Sequence, residues 1–398
     1  MRIFFFLTVF VLVGCSSSPS PVLPPVPLPS FESTLALTTQ WRSEVGRGAR
    51  YFYLRYKPVF DGNTGYSADY QGSIYAFDVK SGNVLWQKDL NLKLTSGLSL
   101  QDGRLLLGSS LGKVMALNPK DGSELWQAQV SSEILTPPQS GQGYVIVRSI
   151  DGRLYALDAQ TGKRRWVFER TVPLLTLRGT SAPLIVNDMV LLGSDSGKLT
   201  ALTLKDGIEL WETAIAVPSG RTELERIIDI DVDLMVVDDL VYAVTYQGRL
   251  AAVQLENGRI RWVQDMSSYA GMTADAYRIY ITDAQSQVLA LNRMSGAILW
   301  RQEKLLRRGL TGPTRHGDYV AVADYDGYIH WLDREDGHIV ARVLLNEVAY
   351  MFEEQWQQDD TDYYDRERNI LANPVVYQDM LIVNDRFGIM SAYTFSDS

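Results

Sequence analysis

The chain reads as an all-β protein, an eight-bladed β-propeller of four-stranded antiparallel blades, and three recurrences predict it. A turn glycine appears at Gly72, Gly112, Gly152, Gly197 and Gly248, is replaced by Ser286, and returns at Gly327 and Gly388. A second glycine follows at Gly82, Gly122, Gly162, Gly207, Gly258, Gly296 and Gly337. A tryptophan comes four residues after it, at Trp86, Trp126, Trp166, Trp211, Trp262 and Trp300, until Ala341 breaks the run. The eight copies are spaced 40, 40, 45, 51, 38, 41 and 61 residues apart. Self-similarity near forty residues belongs to solenoids and propellers, and it overrides the two or three domains that 398 residues would otherwise suggest.

Each part of the copy has a physical reason. In Asp158–Gly162 the aspartate can cap the turn backbone while glycine accepts a positive φ, joining two antiparallel strands. Along the strand before it, Leu154, Ala156 and Asp158 share one face, and Tyr155 and Leu157 the other. Large residues on both faces predict a strand sandwiched between layers, as in a propeller blade. The tryptophans are suited to fill the wedge between successive blades, each with one N–H to satisfy. Glycine at 31, tyrosine at 21 and tryptophan at 9 fit an all-β chain of many turns.

Residues 1–14 read as a signal segment. Arg2 precedes an apolar run, Ile3–Val13, too short to span a bilayer. It ends in Leu12-Val13-Gly14-Cys15, which resembles the lipobox of bacterial lipoproteins. That resemblance implies cleavage before Cys15 and acylation of Cys15. Ser16 follows, with no aspartate there to retain the protein in the inner membrane, so the expected location is the outer membrane, facing the periplasm. Residues 15–33 read as the acylated cysteine and a Pro/Ser-rich tether, with six prolines in Ser16–Ser30. As a polyproline-like leash at roughly 3.1 Å per residue, it would hold the body up to about 45 Å from the bilayer.

The propeller is expected over 34–398, with blades near 55–90, 95–130, 135–170, 181–215, 231–266, 271–304, 311–345, and 373–394 with 34–46. Most blades open with an apolar strand, such as Pro374-Val375-Val376, expected to line the central channel. The eighth copy stops before a tryptophan strand of its own, whereas Leu35–Val45 is a lone strand carrying Trp41. The N-terminal strand is therefore expected to complete the last blade and close the ring, hiding two aggregation-prone edges. Three long connections, Arg170–Ser181, Glu212–Ile230 and Leu345–Ala372, are the places to look for function. The last combines Tyr350, Phe352, Trp356, Tyr363 and Tyr364 with many carboxylates. It reads as a tolerated acidic loop or a second contact surface.

The residues point away from catalysis. Net charge is −9, or −10 without Arg2, which disfavours nucleic acid as a partner. Cys15 is the single cysteine, so no disulfide or thiolate site is expected. The histidines, His316, His330 and His338, lack metal-ligand spacing and read as structural or surface residues. No Walker, dinucleotide or G-x-S-x-G motif occurs. In Ile228–Asp233 the acids Asp229, Asp231 and Asp233 fall on one face of an expected strand, about 7 Å apart. That is too spread for one ion without further donors, so a docking surface for a cationic group, or plain solvation, is the better reading. The tryptophan-docked repeat resembles the propeller of pyrroloquinoline quinone dehydrogenases, but a neighbouring-cysteine disulfide is impossible here and their long insertions are absent. A quinoprotein-like enzyme and an envelope ligand-binding module stand as the alternatives.

Two segments outside the repeat carry a narrower resemblance. Leu175-Thr176-Leu177-Arg178-Gly179-Thr180-Ser181-Ala182-Pro183, and Thr222-Glu223-Leu224-Glu225-Arg226 followed by Asp229-Ile230-Asp231, resemble segments of the propeller lipoproteins of the Gram-negative β-barrel assembly machinery. The resemblance covers the whole mature chain. It implies a non-enzymatic scaffold without cofactor or metal, bound to the central subunit BamA through its POTRA domains. It also implies help in folding and inserting outer-membrane β-barrel proteins, with contact to unfolded clients. Carried over, Leu175, Leu177, Arg178, Asp229 and Asp231 would form the docking patch. Both segments enter successive blades from one side, and leucine anchors beside an arginine suit an interface. The alternative is that Leu175 and Leu177 simply begin a blade and Arg178 pairs with Asp229 or Asp231 within the chain.

Overall fold

The computed structural model describes residues 23–50, 52–173, 175, 181–218, 220–222, 224–345, 370 and 372–396. The expected signal segment and Cys15, the acidic aromatic loop, and Leu177 and Arg178 lie outside the described residues. The described chain forms eight four-stranded antiparallel sheets. Seven run in simple chain order; blade 3, for example, is Gln139–Gly141, Tyr144–Arg148, Arg153–Asp158 and Arg164–Glu169. First strands of adjacent blades lie against one another around the axis. Second and third strands are buried almost end to end, whereas the fourth strands alternate buried and exposed residues. The near-continuous apolar sequence of the third strands follows directly, since each is sandwiched between two blades.

The eighth sheet closes the ring. Its strand order places Leu37–Glu44 outside Ile389–Phe395, Met380–Asn384 and Val375–Tyr377. Trp41 pairs with Ala392, repeating the register by which Trp86 faces Ala76 and Trp166 faces Ala156. Small opposite large is the rule at this cross-strand pair. Each indole then leans on the next blade. The Nε1–H of Trp126, Trp166, Trp211, Trp262 and Trp300 donates to the carbonyls of Ala159, Leu204, Leu255, Arg293 and Arg334. Trp41 does the same across the seam, donating to Val79 of blade 1 at 2.8 Å. A Cβ on Gly82 would lie 2.5 Å from the Trp41 ring, so this turn must stay glycine to seat the indole. The seam is thus built like the other joints. Ser286, which replaces a turn glycine, still adopts φ +67° and accepts a hydrogen bond from the Leu310 amide.

Blade 7 keeps the pair with its residues exchanged. Trp331 on the third strand faces Ala341 on the fourth. Fully buried, Trp331 donates to His316 Nδ1 at 3.2 Å, and His316 Nε2 meets the Asp379 carbonyl of blade 8 at 2.8 Å. The imidazole therefore relays a contact that elsewhere the tryptophan makes itself. Burial pushes the His316 pKa down, consistent with a neutral ring carrying its proton on Nε2. His330 is also buried, between Asp324 and Arg342. These are structural histidines.

The tether expectation changes for its second half. From Pro24 onward the chain lies against blades 6 and 7 and does not hang free: the Val26 amide donates to the Leu306 carbonyl, and Thr34 and Leu35 donate to Val340. Leu28 and Phe31 cover the apolar cluster between those two blades.

Candidate functional site

Antiparallel order puts the turn between the second and third strands of every blade on the same face as the connections between blades. Backbone bonds confirm this pairing around the ring: Ile150 to Glu133, Tyr246 to Asp229, Ala284 to Ser267 and Tyr325 to Arg308. Of the expected patch, Leu175, Asp229 and Asp231 are described and lie on the connections of this face.

The connections into blades 4 and 5 meet there. Ser181 N donates to Ile230 O at 3.3 Å, and Ala182 N donates to Asp233 Oδ1 at 3.2 Å. The two sequence segments are therefore neighbours on one rim, as their entry into successive blades predicts. Leu175 stands 43% exposed, and Val217 and Leu224 on the adjoining connection are exposed too. Large apolar residues left in water on adjoining connections are a feature that contact surfaces share. Leu177 and Arg178 fall outside the described residues.

The acids differ from expectation. Residues 227–234 form no strand. The stretch bonds instead to neighbouring turns, Ile230 N to Ser194 O and Asp229 O to Tyr246 N. Alternation of acid and aliphatic side chains imitates a strand, but here Ile228, Ile230 and Val232 are all buried with Asp229 and Asp231. Asp229 is 1% exposed, so it supports the surface from beneath. Asp231 is 9% exposed, and its Oδ1 has no hydrogen-bond partner among the described residues. Burial drives the Asp231 pKa up to about 6, helped by Asp195 and opposed by Arg55 and Arg148. A buried carboxylate in this position is costly, and such groups concentrate at functional sites.

Sequence reasoning missed the surroundings of that carboxylate. Arg148 and Asp195 form a buried pair at 2.7 Å, and Arg148 also donates to Gly193 O at 2.8 Å. Behind them Arg170 bonds Glu212 and Thr200 Oγ1, and Lys198 bonds Glu212 at 2.6 Å. From the opposite side of the ring comes the lead-in to blade 1. Lys57 Nζ reaches Asp233 Oδ2 of the blade 5 connection at 3.4 Å, and Arg55 donates to the Tyr269 carbonyl at 2.9 Å. Blades 1 and 5 face each other across an eightfold axis, so this segment crosses the mouth of the channel. No local spacing announces such a contact, because the partners are 176 residues apart. The carboxylates at 229–233 do not converge on a common point; among the described residues the converging ligand set is Asp333, Asp336 and His338, on an exposed turn.

Comparison with known proteins decides the family. The family described as "Outer membrane protein assembly factor BamB" matches residues 70–302 and 286–397. The BamB of Pseudomonas aeruginosa is 49% identical over 331 residues, covering 83% of this chain and 87% of that protein. The BamB of Escherichia coli K12 is 35% identical over 359 residues, covering 87% and 92%. The chain belongs to the BamB family. The crystal structure of BamB from Moraxella catarrhalis superposes with a TM-score of 0.78 at 26% identity, covering 90% of this chain and all of that one. A quinohemoprotein alcohol dehydrogenase from Comamonas testosteroni gives 0.69 at 12% identity, covering 91% and 77%, which shows a shared fold alone. As a BamB-family chain this is a non-catalytic assembly factor, and the quinoprotein-like alternative falls away.

Proposed function

We propose that the chain is a scaffold of outer-membrane protein assembly that docks the POTRA domains of BamA with its connection face over blades 3–5. Leu175 supplies an apolar anchor, Leu177 and Arg178 extend the same connection, and Asp229 and Asp231 support it from below. In this reading Cys15 carries the lipid that holds the ring at the outer membrane, and no cofactor or metal takes part. Unfolded barrel proteins are handed over by the complex that the scaffold organises. The observation that carries the reading is the junction at Ser181–Ile230, which joins the exposed apolar connection to the buried, incompletely bonded Asp231. A cationic side chain from a partner would supply the hydrogen bond that Asp231 Oδ1 lacks among the described residues.

The test separates docking from folding. Leu175→Asp is expected to abolish co-purification of BamA from detergent-solubilised membranes while leaving the thermal melt unchanged, since the side chain is exposed. Asp231→Asn is expected to weaken capture yet raise the melt. The sign follows from linkage: with a folded pKa of about 6 above the ordinary 3.8, the contribution of Asp231 is favourable below about 3.8 and lost as pH rises through about 6. Removing the charge at pH 7 is therefore worth at most roughly 2–3 kcal/mol. Full capture by both variants would refute the docking face.

A further inference from the structure

The N-terminal segment does more than connect. Its carbonyls are held by three arginines from distant parts of the sequence. Arg307 Nε donates to Pro24 O at 2.6 Å, Arg308 Nη1 to Val26 O at 3.2 Å, and Arg342 Nη2 to Pro29 O at 3.2 Å. The Arg342 guanidinium lies over the Phe31 ring, 4.9 Å from its centroid. Ser33 Oγ, Thr34 N and Leu35 N then bond Val340 O on the outer strand of blade 7.

Blade 7 is built around this guest. Arg308 is 4% exposed, pairs through Nε and Nη2 with Asp324 and Asp326, and donates from its third nitrogen, Nη1, to the segment. Arg342 has no carboxylate within ion-pair distance among the described residues; its partners are His330, Phe31, Tyr328 and Pro29 O. Proline suits the guest's role, because each proline lacks an amide donor and offers only its carbonyl, which arginine can satisfy.

We propose that residues 24–35 are a docked strap, and that it makes the blade 6–7 rim of the connection face the edge of the ring turned to the bilayer. The proposal rests on Cys15 being the acylated residue. If the chain were free up to Leu35, twenty residues would let the anchor reach about 70 Å and any rim could face the lipid. With the strap seated, nine Cα-to-Cα steps separate Cys15 from Pro24 and the reach falls to about 30 Å. The exit lies beside Arg307, on the face that carries Leu175 but three blades further round the ring. There Arg301, Lys304 and Arg307 are exposed beside Glu303, with Asp283 and Asp326 half-buried on the adjoining turns, on a chain whose net charge is −9. Three exposed cationic side chains on an acidic protein can meet an anionic head-group surface.

The test uses the full acylated lipoprotein in vesicles of phosphatidylethanolamine and phosphatidylglycerol doped with a nickel-chelating lipid. Acylation blocks the single native thiol, so one introduced cysteine takes a spin label. A label at Lys304→Cys is expected to relax strongly by collision with the nickel head groups, and one at Leu111→Cys, an exposed turn of blade 2, weakly. Adding Phe31→Ala and Arg342→Ala should abolish that contrast. Hydrogen exchange supplies an independent reading of docking: the Val26, Thr34 and Leu35 amides are expected to be protected, in water as in vesicles. Vesicle binding with equal relaxation at both labels overturns the orientation, and unprotected amides overturn the strap. Failure to bind vesicles, with Cys15 unmodified by mass, overturns the anchor reading and with it the membrane-facing rim, while protected amides would show that the strap itself stands.

Discussion

Replacing Trp41 by alanine is expected to destabilise the protein by about 3–5 kcal/mol, as large-to-small changes at buried tryptophans do. Trp41 is 7% exposed and belongs to the cluster that spans the seam with Tyr75, Phe77, Val79, Ile382 and Ala392. The substitution removes the indole, the hydrogen bond to Val79 and the ring contact that Gly82 is shaped for. The seam keeps other contacts, among them the Tyr377 hydroxyl bond to Gly62 O at 2.9 Å, the Asn384 Nδ2 bond to Tyr56 O at 2.7 Å and the stacked Phe60–Tyr377 pair at 4.6 Å. Those contacts do not hold the outer strand itself. Urea unfolding checks the loss. Leu85→Ala, on an exposed outer-strand position, serves as the control and should change stability by no more than about 0.5 kcal/mol.

The second large effect is expected in blade 7. Trp331→Ala would leave alanine facing alanine at the 331–341 pair and cost about 3–5 kcal/mol. Ala341→Trp alone sets two indoles where one fits and should cost about 1–3 kcal/mol through overpacking. The double substitution restores the arrangement of the other blades and is expected to recover most of what Trp331→Ala loses. It would still fall short by about 1 kcal/mol, because His316 Nδ1 then has no donor. A double variant no more stable than Trp331→Ala would show that the exchanged pair is not a unit.

How far the residues announced these features depended on how local the causes are. The ring, its blade number and its closure were legible because turn glycines and wedge tryptophans repeat, and each repeat solves one steric problem, a ring seated on a bare turn. The exchange at Trp331 and Ala341 hid in plain view: each departs from its column, but only register shows that they face each other. Spacing misled at Asp229–Asp233, where alternation suggested a strand. The backbone there is bonded to Ser194 and Tyr246 instead, and the acids turn inward. Composition misled at Pro24–Leu35 for a related reason. Proline-rich chain reads as free leash when nothing nearby bonds it, and its partners here are arginines some 280–310 residues away.

Everything at the connection face presupposes a ring whose ends are joined, and a disulfide tests that joint most directly. Thr38 pairs with Thr394 across the closing strands, and facing residues in an antiparallel pair lie at separations a disulfide can bridge. In a Cys15→Ser background, Thr38→Cys with Thr394→Cys should oxidise within one molecule, giving a monomer of altered mobility that reverts on reduction, with native melting retained. Free thiols after oxidation, or cross-linked dimers in place of the internal bond, would contradict the closed ring.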